Sequence, residues 1–336
     1  MTKIITNKKL FNSNKKIKSN KLVDRFLVPP FSVFDARQGY WMKRKGEWLN
    51  LGIKSELGRG DNLTFGMACF NYDMEKELKS KYGKCLPDSI GENYNRKSVQ
   101  ATSIFDPVLC EIIYRWFSNI GDLVLDPFAG GSVRGIVAGE LERNYIGIDL
   151  RKEQVDANIQ NWEEINQNDL NANFKPKWIV GDSLNIKDLT ENVKADLIFS
   201  CPPYYNLEVY SDLENDISNK DTYEEFLDTY EKIIKNSVEL LKENSFAVFV
   251  VGEFRDKKGF YCNFVGDTIK AFEKAGMNYY NEGILVTPTG TLPVRTAKQF
   301  NSGRKLGKQH QNILIFYKGN VSEIKQKFKE LDLGVE

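Results

Sequence analysis

Four short apolar segments between residues 122 and 200 each run into residues able to hold a small polar ligand. Asp122 to Asp126 leads into Pro127, Phe128, Ala129, Gly130, Gly131 and Ser132, and a glycine turn at that place lets backbone N–H groups approach a bound molecule. The turn is not G-x-G-x-x-G, which disfavours a nicotinamide dinucleotide. About 20 residues on, Asn144 to Asp149 closes in an acid able to accept both hydroxyls of a ribose. Trp178 to Gly181 is followed by Asp182, a short acid suited to an exocyclic amine of adenine. Ala195 to Ser200 is followed by Cys201, Pro202, Pro203, Tyr204 and Tyr205. Two prolines cannot continue a ladder of hydrogen bonds, so they fix a rigid turn with outward carbonyls beside an aromatic ring. Three of these ends would line a nucleoside-shaped site, and the fourth would present acceptors to a second reactant.

The remaining composition narrows the chemistry. A single histidine, His310, leaves almost nothing with which to build a histidine-based triad or a histidine-rich metal centre. Five cysteines with no C-x-x-C pair argue against a disulfide framework or a cysteine-rich zinc site. With 336 residues, 41% of them hydrophobic, the chain is long enough for one large domain with an appendage. The apolar run Phe246 to Val251 falls far short of the ~20 residues a bilayer needs. An intracellular, cytoplasmic protein is expected.

The net charge of +1 conceals a segregation. Seven lysines precede the first acid, Asp24, so residues 1–24 read as a disordered basic tail. A second basic stretch, Arg37, Lys43, Arg44, Lys45, Lys54 and Arg59, is interleaved with Tyr40, Trp41 and Trp48. A third comprises Arg295, Lys298, Arg304, Lys305 and Lys308. Cations among aromatic rings suit nucleic acid, since the cations neutralise phosphates and the rings stack on bases, although solvated helix faces would read the same way.

The elements that must position the four ends alternate short apolar runs with amphipathic segments from Gly121 onward. With Phe246 to Gly252, Gly283 to Thr287 and Asn312 to Tyr317 added, seven strands are expected in a mostly parallel, doubly wound α/β sheet. Thr222 to Leu241 carries one apolar stripe at helical spacing. Asp106 and Pro107 form an N-cap and first-turn pair for a helix that feeds the first strand. Residues 25–100 lack clean periodicity and are expected to form an irregular N-terminal lobe with possible DNA contact, ahead of a catalytic domain at 101–320 and a tail or helix at 321–336.

Asp126-Pro127-Phe128-Ala129-Gly130 followed by Ser200-Cys201-Pro202-Pro203-Tyr204 resembles the S-adenosylmethionine-dependent amino-methyltransferases that modify N6 of adenine or N4 of cytosine in DNA. Phe105-Asp106-Pro107 resembles that family's cofactor-carboxylate motif, and the likeness runs from about Thr102 to Gly319. The runs Pro29 to Arg37 and Arg304 to Asn312 resemble a branch carried by bacteriophages. The resemblance implies a Rossmann-like methyltransferase fold and S-adenosylmethionine held by Phe105, Asp106, Asp126, Phe128, Ala129, Gly130, Gly131, Asp149 and Asp182. It also implies a target base flipped out of DNA. The flipped amine would meet the Pro202 carbonyl and a polar acceptor at Ser200 or Cys201, with Tyr204 stacked on the base and Pro203 fixing the turn. Such an amine is a poor nucleophile, its lone pair delocalised into the ring, so positioning does most of the work and no strong base is needed. Two departures stand out: Gly130-Gly131-Ser132 replaces the usual Gly-Ser-Gly, and Cys201 replaces the usual Asp, Asn or Ser before the prolines. The second leaves adenine and cytosine both open. RNA or a protein amide as acceptor, and an inactive nucleic-acid-binding homologue, are the alternatives. Oligomeric state is not legible.

Overall fold

A computed structural model describes residues 22–54, 105–167, 173–205, 211, 213–290, 292–328 and 331. Residues 1–21 of the tail expected at 1–24 and most of the lobe expected at 25–100 lie outside those residues, while Leu22 to Asp24, expected disordered, begin a helix. The chain divides into two compact units, and residues 289–307 belong to the second, whose described part includes helix α9 (Leu292–Gly303). Everything below concerns the first.

That unit is built on an eight-stranded sheet, one strand more than expected, in the order β1-β7-β8-β6-β5-β2-β3-β4. The strands are β1 (Val33–Asp35), β2 (Leu123–Asp126), β3 (Asn144–Asp149), β4 (Lys177–Val180), β5 (Ala195–Ser200), β6 (Leu241–Val251), β7 (Asn278–Val286) and β8 (His310–Lys318). β8 alone runs against its neighbours in this sheet. The extra strand, β1, pairs with β7 over three residues, too few for an alternating pattern to show in the sequence. β5 and the run from Phe246 to Val251 in β6 are buried throughout, as strands covered on both faces must be.

Helices supply the cover. One face carries α2 (Gly39–Leu49), α3 (Pro107–Phe117), α4 (Val133–Glu140) and α5 (Lys152–Ile165), after a short α1 (Leu22–Phe26). The other carries α6 (Ile186–Leu189), α7 (Tyr223–Leu240) and α8 (Phe264–Lys274), while a short α10 (Ile324–Lys327) follows the last strand. The helices expected after Asp106-Pro107 and over Thr222 to Leu241 are α3 and α7, and the helix expected from Val133 to Leu141 is α4. Asp106 caps α3 by accepting from Val108 N at 2.9 Å, with Pro107 in the first turn. Thr222 and Glu225 close a capping box at the start of α7. Among the described residues, no helix is long and apolar enough to cross a membrane.

Much of the second basic stretch is paired within the fold, and Arg59 lies outside the described residues. Trp41 and Trp48, on α2, are fully buried against the sheet. Arg37 is bound to Asp35, Lys45 to Asp106 and Lys54 to Glu164. Arg44 lies 2.6 Å from Glu111 of α3 and 2.8 Å from Glu47. α2 buries two tryptophans seven apart with cations between them, too sparse a stripe for periodicity to reveal. The described part of the expected lobe therefore belongs to the sheet's own unit.

Glu111 organises that contact. Its fully buried carboxylate accepts from Arg44 (2.6 and 2.7 Å), Trp48 Nε1 (2.7 Å) and Arg115 Nε (2.9 Å). Burial raises its pKa, but the hydrogen bonds and charge of Arg44 and the charge of Arg115 overcome that and hold it below the ordinary value. A depressed carboxylate stabilises the fold above its unfolded pKa, and the contribution is lost as pH falls through the folded value. Glu111→Ala removes the buried acceptor shared by Arg44, Trp48 and Arg115, leaves Arg44 with Glu47, and is expected to cost about 3–5 kcal/mol at neutral pH. Urea unfolding checks this, and a loss below about 1 kcal/mol would contradict it.

Candidate active site

β2 and β5 lie side by side although β3 and β4 intervene in sequence, so the strand order reverses between them. In open α/β sheets such a reversal opens a crevice at the carboxyl ends of the strands, and the four sequence-expected ends come together there.

Asp126, the last residue of β2, is fully buried. One of its oxygens accepts from Ser200 Oγ (2.5 Å) and Phe128 N (3.1 Å), the other from Arg134 Nε (2.6 Å) and Tyr145 OH (2.7 Å). Arg134, in the first turn of α4, also donates through Nη2 to the carbonyls of Phe128 (2.6 Å) and Ala129 (2.8 Å). Its guanidinium lies 4.7 Å from the Phe105 ring centroid. Burial works against the Arg134 charge, but Asp126 more than offsets it and the pKa is raised. The glycine loop is thus gripped from beneath. Asp126 was expected to touch cofactor, yet both its oxygens face inward to these partners.

Gly130 has φ +52°, a backbone a side chain would strain. Its N–H donates to Asp149 Oδ2 at 3.0 Å, and its carbonyl accepts from Asn158 Nδ2 at 2.7 Å. Ala129 N bonds to the Ile148 carbonyl at 2.9 Å, tying the loop to β3. Asp149, at the end of β3, takes Arg151 N on its other oxygen at 2.9 Å. Burial raises its pKa, opposed by the N–H of Arg151 and the Arg151 charge. Each carboxylate oxygen keeps a lone pair after these bonds. Gly131 is partly exposed beside them. Asp182 caps a short turn after β4 through Leu184 N at 2.9 Å, and Ser183 Oγ bonds the Pro127 carbonyl at 2.5 Å, so this end too joins the glycine loop.

Ser200 was expected to offer an acceptor to a target amine. It is fully buried, its hydroxyl donated to Asp126 and accepting Phe128 N at 3.2 Å. The structure thereby removes it from the exposed turn and leaves half-buried Cys201 as the polar side chain before the prolines. Pro202 is buried, and Pro203 and Tyr204 are half-buried. Behind the turn stands an aromatic wall: Tyr204 lies 6.3 Å from Phe254 and 6.0 Å from Phe264, and Tyr205 lies 5.6 Å from Phe226. Phe128 meets the same wall through Tyr230 and Phe249. Gln311 Nε2 donates to Tyr204 OH at 3.3 Å.

Asp106 was expected at the cofactor. Its carboxylate accepts from Trp41 Nε1 (3.2 Å) and Lys45 Nζ (3.0 Å) as well as capping α3.

A family model described as DNA methylase, N6_N4_Mtase, matches residues 38–160 and 195–333. The chain belongs to this family of DNA methylases. The type II methyltransferase M2.DpnII of Streptococcus pneumoniae is 35% identical over 88 residues, covering 25% of this chain and 32% of that protein. M1.MboII of Moraxella bovis is 46% identical over 79 residues, 22% of this chain and 30% of that protein. The chain thus spans about a third of the length of these curated relatives. Among solved structures, a methyltransferase from Pyrococcus furiosus aligns with TM-score 0.41 at 16% identity, over 73% of this chain and 94% of that one.

At this site the sequence reading missed Arg134, Tyr145, Asn158 and Gln311. A signal existed for the first. A lone cation in the first turn of α4, whose next five residues are uncharged, opposes the helix dipole and demands a buried anion. Arg134→Met leaves the Asp126 charge uncompensated and is expected to cost about 3–5 kcal/mol, with faster amide exchange at Phe128 and Gly130. Denaturant titration and exchange on that variant check this, and unchanged exchange at both amides would contradict it.

Proposed function

We propose that this DNA methylase transfers the methyl group of S-adenosylmethionine to the exocyclic amine of adenine (N6) or cytosine (N4) in DNA, with the target base flipped out of the duplex. The observation that carries the reading is the meeting, at the strand-order reversal, of a ribose-type acid and glycine loop with a Pro-Pro-Tyr turn one strand away.

The residues fit the cofactor. Asp149 keeps outward lone pairs on a carboxylate already aimed by Gly130 and Arg151, the arrangement a ribose diol requires. Gly130 and Gly131 leave the loop backbone open, and Asp182 edges the same crevice. Phe105, Phe128 and Ala129 supply apolar wall. Bound there, S-adenosylmethionine supplies an electrophilic methyl on a sulfonium.

The chain's own work is positional. Pro202 and Pro203 hold the turn rigid, so the Pro202 carbonyl and the Cys201 side chain accept the two amine N–H bonds and turn the lone pair outward. Tyr204 bears on the base, its hydroxyl held by Gln311. Ser200 serves indirectly, fixing the start of the turn on Asp126. Asp106 acts through the N-terminus of α3, with its charge balanced by Lys45.

Labelled-methyl transfer offered DNA, RNA and protein tests the reading: label in DNA supports it, and label confined to RNA or protein overturns it. Asp149→Ala is expected to weaken S-adenosylmethionine binding by about 1.5–3 kcal/mol while leaving DNA binding intact. Since the Asp149 pKa is raised and the diol needs the carboxylate, cofactor affinity should fall on acidification above the ordinary Asp value. Calorimetry across pH checks both, and unchanged affinity in the variant would remove Asp149 from the site. Cys201→Ser is expected to keep measurable amine methylation, and DNA containing 5-fluorocytosine to form no denaturation-resistant adduct. An adduct lost in Cys201→Ser would point to C5 chemistry instead.

A further inference from the structure

Residues 252–263 leave β6 and return as a hairpin. Cys262 N bonds the Phe254 carbonyl at 3.1 Å, Arg255 and Tyr261 form an antiparallel bridge, and Asp256 N bonds the Phe260 carbonyl at 2.8 Å. The tip is locked further. Asp256 Oδ1 accepts Phe260 N at 2.8 Å, and Arg255 Nη1 donates to the Gly259 carbonyl at 2.9 Å while its guanidinium lies 4.0 Å from the Tyr261 ring centroid. Gly259 makes the reversal at φ +94°.

The hairpin's foot is part of the aromatic wall. Phe254 is buried, 6.3 Å from Tyr204 and 6.4 Å from Tyr205. Two rungs farther, at about 3.4 Å per residue, stands Phe260. It is 71% exposed, flanked by exposed Lys257 and Lys258 and by Tyr261 at 49%. Phe260 is the most exposed of the described phenylalanines, ahead of Phe31 at 62%, and a bare ring on a braced tip between cations serves no packing. Beside a site for a DNA base, that combination matches an apolar wedge for the base stack with cations for the flanking phosphates.

We infer that this hairpin opens the duplex: Phe260 enters the stack where the target nucleotide leaves, and Lys257 and Lys258 hold the neighbouring phosphates. The inference rests on the proposed methylation of a flipped base and adds the element that stabilises the gap.

The test uses the full chain and a duplex oligonucleotide carrying a site mapped with the parent enzyme. Phe260→Ala, whose side chain supports no core contact, should lower kcat/KM at least tenfold on the paired site, and Phe260→Trp should keep it within threefold. With the target base mispaired, the Ala penalty should shrink below threefold, because little stacking remains to be broken. Changing Lys257 and Lys258 together to Gln should reduce the logarithmic salt slope of duplex binding by about two. Parent-like rates for Phe260→Ala on the paired site, or an equal penalty on paired and mispaired sites, would overturn the inference. Loss of binding to anionic vesicles in Phe260→Ala, with methylation intact, would mark a lipid-directed tip and overturn it as well. A parent that methylates no DNA would fail the proposed activity, and the salt slope would still judge the hairpin.

Discussion

The carboxylate of Asp126 is fully buried at the end of β2, where solvent cannot support it, and that constraint shapes both halves of the site. A buried anion needs donors at every lone pair. Here they come from β2's own turn, from β3 through Tyr145, from α4 through Arg134 and from β5 through Ser200. Satisfying one charge therefore locks the glycine loop to the start of the Pro-Pro-Tyr turn. Arg134 extends the lock by holding two loop carbonyls. The crevice above inherits its geometry from a network that touches no ligand.

That network also bears on Cys201. The immediate flank of Cys201 is uncharged, but Arg134 lies within electrostatic reach of its thiol. A lone buried arginine would favour a thiolate and hence a nucleophile. Arg134 is not lone: Asp126 sits at 2.6 Å and takes most of its field. The arrangement suits a thiol that accepts and positions better than one that attacks.

Sequence patterns revealed what rests on local rules. The four strand ends, the Asp106-Pro107 helix start and the stripe of α7 were legible because periodicity and capping act within a few residues. β1 was not, since three residues carry no period. Nor was the fate of the cations between Arg37 and Lys54, because Glu111, Asp106 and Glu164 lie far along the chain and only folding brings them together. The same limit applies to Asp126 and Ser200. Both were read as facing a ligand, and they face each other across 74 residues of sequence.

The central claim is that a crevice built on this network presents an exocyclic amine of a DNA base to a methyl donor. Mass spectrometry of nucleosides from DNA incubated with the protein and S-adenosylmethionine tests it most directly. The account predicts N6-methyldeoxyadenosine or N4-methyldeoxycytidine. Recovery of 5-methyldeoxycytidine, or of no methylated deoxynucleoside from DNA under conditions where the protein binds both DNA and S-adenosylmethionine, would contradict it.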